Sequence, residues 1–361
     1  MACKDCTQFC VAEEYEFDRV LISVPSREIL NLLVAALRSG GFQFEVEGKS
    51  VKHNGKDAES MLRFLAYKAD LSDFQRREIQ LLTLRTDEEV TFDAVRNLQT
   101  LDKYRRSIEH PEVKACLENG WIETHFQPLI DVETRSLHGF EALSRGRGES
   151  GELIPPGTLF DYAKANNATF FLDRLTRETA IRSAATLDLP GRIFINFLPN
   201  AIYDPRQCLR TTLRIANETH FDASRIVFEV TETERIEDMD HLGRIFDYYR
   251  HNGFKVALDD VGSGSAGLNV LIDLMPDIIK VDREIITNID QNPLKQSIFR
   301  GLTTAAREQG IEVVAEGVET SEELEFVASN GAHFVQGFLF AKPNANPPVS
   351  FNWPARSIVG W

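Results

Sequence analysis

Along this chain, short apolar runs close on polar or acidic residues and alternate with stretches in which apolar positions recur at helical spacing. The runs are His125–Ile130, Gly139–Leu143, Arg192–Phe197, Ile226–Thr231, Lys255–Asp260, Ile278–Asp282, Glu312–Glu316 and Phe334–Phe340. Each is short enough for a buried strand, and the spacers fit crossover helices. The pattern therefore predicts an α/β fold, a (β/α)8 TIM-like barrel. Only Asp131 to Leu137 separates the first two runs, too little for a helical crossover, so these strands are expected to pair antiparallel.

The region before the barrel reads differently. Arg19 to Val24 is a short strand, and Pro25-Ser26 opens a helix that stops at Gly40-Gly41. Residues 42–46 and 50–53 alternate about Gly48-Lys49 like a hairpin, and Ala58 to Lys68 has amphipathic spacing. This predicts a small α+β domain over 1–85, of unknown ligand and regulatory or sensory in role. From Asp73 to Ile108 helical spacing continues among many charges, giving a helical connector over 86–108. The barrel then occupies 109–350 and a tail 351–361, with the proline-rich stretch from Pro343 to Pro354 lying on the surface without regular structure.

Composition narrows the partners. With 361 residues, 43% apolar and 26% charged, the chain can bury one large core and a smaller one. No window approaches the ~18 apolar residues of a membrane span, and the amino terminus is polar and acidic, so the expectation is a soluble, cytoplasmic protein without a membrane partner. A net charge of -15 opposes binding of a nucleic acid polymer. The five cysteines are an odd number, which argues against a disulfide framework. Cys3, Cys6 and Cys10 have the spacing of an incomplete metal site; ordinary thiols and a metal or redox cluster both remain open for them.

Polar residues at barrel strand ends carry the candidate chemistry. Glu141, Asn196, Glu229, Asp259-Asp260, Lys280 and Glu316 end six successive strands. Phe194 and Asn196, Val227 and Glu229, and Ala257 and Asp259 lie two apart, so each polar group caps an inward apolar column. Five converging carboxylates resist joint ionisation unless cations join them. An all-oxygen donor set points to Mg2+ or Mn2+ rather than zinc, and five acids suffice for two ions about 3.5–4 Å apart with a bridging carboxylate.

These residues also fall in an ordered series of motifs. Phe126-Gln127-Pro128-Leu129 and Glu141-Ala142-Leu143-Ser144-Arg145 are followed by Asn196 in FINF, Glu229 and Glu232 in FEVTE, Asp259-Asp260 in ALDDVGSG, Lys280 in IKVD, Glu316 and Glu319 in AEGVE, and Gln336 in VQGFLFAKP. From about Glu109 to Pro343 the chain resembles the EAL-domain cyclic-di-GMP phosphodiesterase family. The resemblance implies hydrolysis of one phosphodiester of cyclic-di-GMP to linear pGpG with two Mg2+ or Mn2+ ions. It implies that Glu141, Asn196, Glu229 and Asp259 hold one ion, and that Asp259, Asp260 and Glu316 hold or orient the other. Lys280, Glu316 and Glu141 would then be catalytic, with Lys280 placing the water and Glu316 taking its proton. Gln127, Arg145 and Gln336 would bind substrate, Glu232 and Glu319 would anchor loops, and the barrel would form a homodimer. A catalytically idle cyclic-di-GMP receptor on the same barrel is the alternative.

Two departures from the family pattern stand out. Val261 and Ser265 replace aromatic residues in the loop after Asp260, and Phe197-Leu198 follows Asn196 where a polar residue is usual.

Overall fold

The computed structural model describes residues 17–354 apart from 86, 96–97, 200–201, 203, 232–238 and 263–266. Two compact units emerge, one over 17–115 with 157–169, the other over 116–156 with 170–354. Cys3, Cys6, Cys10 and Glu232 lie outside the described residues.

The first unit holds an antiparallel sheet of order β2-β3-β1-β4-β5, with β1 Arg19–Ser23, β2 Glu45–Glu47, β3 Ser50–Asn54, β4 Gln80–Leu84 and β5 Gln99–Thr100. Ser26 caps the helix Arg27–Ser39 by accepting from the Ile29 amide, which fixes where strand gives way to helix. Val20, Ile22, Val51 and Leu81 meet Leu33, Leu37, Met61 and Leu65 in the core between sheet and helices. Within 73–108, β4 forms among the expected helices. A capping box between Ser72 and Gln75 starts the preceding helix at Asp73, the extended backbone of Ile79 ends it at Glu78, and Gln80–Leu84 pairs with β1.

In the second unit, β6 Ile122–Asp131, β7 Leu137–Arg147, β9 Arg192–Asn196, β10 Ile226–Thr231, β11 Lys255–Val261, β12 Ile278–Val281, β13 Glu312–Ala315 and β14 Phe334–Val335 close into an eight-stranded barrel. A further strand, β8 Leu153–Ile154, lengthens the β7 edge. β6 is antiparallel to both its neighbours, and the other barrel pairs are parallel. β14 is shorter than the run Phe334–Phe340 suggests. Gly337 lies so close to the Val318 backbone that no Cβ fits, and the chain turns away there. The helices Thr169–Thr186, Pro205–Glu218, Met239–His251, Gly267–Leu274, Pro293–Glu308 and Ser321–Ser329 supply the crossovers. Among the described residues, no helix is long and apolar enough to cross a membrane.

The barrel interior is layered. Leu129, Phe194, Val227, Ala257, Ile278, Val314 and Phe334 form one buried apolar cluster. Strand alternation puts Asn196, Glu229, Asp259, Lys280, Glu316 and Gln336 two residues beyond it, and Gln127 two residues before it on the reversed β6. Two residues the other way, Arg192 and Lys255 share the Glu312 carboxylate at 3.1 and 2.6 Å. The apolar layer thus floors the site and separates it from this second ionic layer. His138 stacks on Phe334 with centroids 3.7 Å apart, and its Nε2 is 3.4 Å from Arg192.

Burial, with Arg192 beside it, pulls the His138 imidazole down to about 4. Its folded value lies below the unfolded one, so the stability it carries is complete above pH ~6.5 and is lost as pH falls toward 4. Urea titrations should show stability declining over that window, with a flatter decline in His138→Gln.

Candidate functional site

Glu141, Glu229 and Asp259 form one group of carboxylates whose oxygens lie within 4.8 Å of one another, and Asp259, Asp260 and Glu316 form a second. Asp259 belongs to both. Strand alternation alone would send Asp260 away from its neighbour's face. The β11–β12 register shifts between Leu258 and Val261, and Asp260 takes φ 58°, a left-handed conformation rare for a residue with a side chain. That bulge turns both acids inward.

Lys280, fully buried on β12, stands in the middle. Its Nζ is 2.6 Å from Glu316, 3.0 Å from Glu229, 3.0 Å from Asp259 and 3.5 Å from Glu141, so one ammonium touches members of both carboxylate groups. Burial alone would pull Lys280 down, but Asp259, Glu141, Glu229 and Glu316 outweigh it and hold the ammonium well above the ordinary lysine value. Burial, reinforced by neighbouring carboxylates, pushes Glu229 and Glu316 well up against the opposing pull of Lys280. Asp259 is raised for the same reasons. Burial, then Asp259 and Asp282, push Asp260 to about 7.

Metal ions fit this donor set. Glu229 Oε1 and Asp259 Oδ1 are buried without a hydrogen-bond partner despite their charge contact with Lys280. The acids exceed what one ammonium can neutralise, and the donors are hard oxygens. Asn196 joins them, its Nδ2 lying 3.4 Å from both Glu141 and Glu229.

Around the acids, Gln336 donates to Glu141 at 2.6 Å and to Gln127 at 3.0 Å, and Gln127 donates to the Ala341 carbonyl at 3.2 Å. Arg145 lies within β7, which runs beyond the expected Leu143 because Ser144, Arg145 and Gly146 keep pairing with Thr124, Glu123 and Ile122. Its guanidinium donates to the Ser144 carbonyl and is half-buried. Glu319 is exposed, and its amide donates to the Glu323 carboxylate.

Two positioning groups escaped the sequence reading. Buried Asp173 takes two guanidinium bonds from Arg177 at 2.7 and 3.0 Å and accepts the Leu198 amide at 2.9 Å, fixing the chain just past Asn196. Its sequence signal, Asp and Arg four apart on a helix, looks like a surface pair. Glu323, also buried, accepts the Asn288, Glu319 and Thr320 amides, holding the segment after Glu316. It is the last member of a capping box with Thr320, a pattern visible in the sequence.

Comparison with known proteins gives a concordant result. The EAL domain family matches residues 111–343. A probable cyclic di-GMP phosphodiesterase, PdeG of Escherichia coli (strain K12), is 32% identical over 252 residues, covering 67% of this chain and 49% of that protein. The cyclic di-GMP phosphodiesterase PdeR of the same organism is 33% identical over 68% of this chain and 37% of its own length. The chain therefore spans half or less of these relatives. A standalone EAL protein from Vibrio cholerae O395, solved bound to c-di-GMP, shares 38% identity over 63% of this chain and 95% of that one, at TM-score 0.58. Klebsiella pneumoniae BlrP1 is alike in fold over 93% of this chain and 99% of that one, with 22% identity and TM-score 0.59.

Proposed function

Since the chain belongs to the EAL domain family, with 111–343 matched, we propose that it hydrolyses one phosphodiester bond of cyclic-di-GMP to linear pGpG. The observation that carries this is the pair of carboxylate groups sharing Asp259 at the mouth of the barrel.

Glu141, Asn196, Glu229 and Asp259 would hold one Mg2+ or Mn2+ ion, and Asp259, Asp260 and Glu316 a second; such ions would supply acidification of water and neutralisation of phosphoryl charge. Arg145 grips a non-bridging phosphate oxygen through its planar fork. Lys280 donates to the attacking water and orients its lone pair toward phosphorus. Glu316 accepts the proton released as the new O–P bond forms. The P–O3′ bond then breaks, the leaving oxygen takes a proton from solvent, and the ring opens. Gln127 and Gln336 hold the substrate against Glu141.

The described site favours turnover over an idle receptor, because all six expected metal-binding positions carry oxygen-bearing side chains in the sequence. We assign residues 1–108 a regulatory role, supported by the separate core of the first unit. A homodimer through the barrel is supported by Ile272 and Leu294, each 70% exposed on the helices after β11 and β12.

The test is chromatography of cyclic-di-GMP incubated with the protein and Mg2+ or Mn2+. The wild type should release pGpG and Glu141→Ala should not; binding without turnover by the wild type would establish the receptor reading instead.

A further inference from the structure

A cavity of about 500 Å3 opens between the helices Pro205–Glu218 and Met239–His251, and none of its lining residues belongs to the acid cage. Leu242, Ile245, Phe246 and Tyr249 bury one face of the second helix in the barrel core. Another face carries His241, Arg244, Tyr248 and His251, whose spacing of three, four and three residues sets them in one row along the cavity.

The two ends of the row differ in chemistry. His241 donates from Nε2 to the Ile202 carbonyl at 2.6 Å, which ties the start of this helix to the segment leading into the other. Arg206 and Arg244, both exposed, line the cavity at this end. The acid beside them, Asp204, accepts the Arg206 amide at 3.0 Å and so caps its own helix. An anion arriving here therefore meets guanidiniums rather than an open helix terminus. At the other end Tyr248 is half-buried, and His251 donates from Nδ1 to the Asp247 carbonyl at 2.8 Å. The Asp247 carboxylate is 74% exposed, with Arg250 a distant 3.9 Å away. From Arg244 to His251 the row runs about 10 Å, at ~1.5 Å per residue.

Paired guanidiniums suit phosphate, an aromatic ring offers its face to a base, and a carboxylate accepts from base N–H groups. A simple anion uses only the first end, and an apolar or cationic ligand leaves the arginines unmatched. A nucleotide carries this same polarity along its length, and the cavity has the volume of a small-ligand site. We propose that the cavity binds a purine nucleotide at a site separate from the phosphodiester site. Its phosphates lie on Arg206 and Arg244, its base on Tyr248, and the N–H groups of the base on Asp247.

The experiment is calorimetry of the full chain in EDTA, with GTP and inorganic tripolyphosphate as probes. GTP should bind more tightly than tripolyphosphate. Replacing Arg206 and Arg244 together by Ala should raise Kd for both about tenfold or more, as loss of charged hydrogen bonds does. Tyr248→Leu, which keeps apolar bulk where the ring packs, should raise Kd for GTP about tenfold and leave tripolyphosphate unchanged. Asp247→Asn, at an exposed carboxylate, should also weaken GTP without weakening tripolyphosphate, and it carries the base arm alone if Tyr248→Leu lowers Tm. Glu141→Ala should bind GTP as the wild type does. No binding of GTP, or binding lost in Glu141→Ala and kept in the arginine double variant, would overturn the site. Tripolyphosphate binding as tightly as GTP, with Asp247→Asn and Tyr248→Leu without effect, would overturn the nucleotide.

Discussion

Asp259→Asn is expected to lower cyclic-di-GMP turnover by about 10³-fold or more while the protein stays folded. Asp259 is common to both carboxylate groups, and among the described residues no other carboxylate belongs to both. Asparagine keeps the size and one oxygen but removes the charge and a bridging lone pair. The folded state should tolerate the change, because Asp259 already sits in an over-acidic cage where burial favours its neutral form. Mn2+ binding followed by calorimetry should weaken at both sites together. Asp260→Asn touches only the second group, so it should weaken one site and spare the other. Equal, partial losses from the two variants would mean that Asp259 does not bridge.

The second large effect concerns the metal-free protein. Lys280→Met should destabilise it by about 3–5 kcal/mol, because removing one partner from a buried ionic cluster leaves the others uncompensated. Four carboxylates lie within 3.5 Å of the ammonium, none with another buried cation at comparable range in the described site. Glu229, Asp259 and Glu316 are held above ordinary carboxylate values, so they bind protons more readily folded than unfolded. The stability they carry is therefore present at low pH and lost as pH rises, and Lys280→Met should steepen that loss. Saturating Mn2+ supplies the missing charge and should recover most of the stability while turnover stays low. Denaturant titrations in EDTA and in Mn2+ distinguish this from a packing defect, which metal would not repair.

Much of the barrel was legible because its physics is local. Buried parallel strands need continuous apolar runs, and Ile226–Thr231 and Lys255–Val261 are bounded by residues that announce their ends. The acids were legible because a charged residue ending an apolar run is costly without a purpose.

What the sequence concealed depends on contacts distant along the chain. Gln80–Leu84 offers the same apolar spacing to a helix as to a strand, and only pairing with β1 on one side and β5 on the other decides between them. The polar extension of β7 through Arg145 is stabilised by its register with β6, and polar residues give no strand period there. The inward turn of Asp260 needs a bulge that no residue type marks, since its left-handed backbone is borne by an aspartate rather than a glycine. Lys280 at the centre of the acids follows from barrel closure, which brings β7, β10, β11 and β12 around one axis.

We propose that this cage is a two-cation site into which Lys280 projects. Anomalous diffraction from crystals soaked in Mn2+ tests it directly. Two peaks are predicted, one among Glu141, Asn196, Glu229 and Asp259 and the other among Asp259, Asp260 and Glu316. A cage without a peak at saturating Mn2+, its acids still gathered on Lys280 alone, would contradict it.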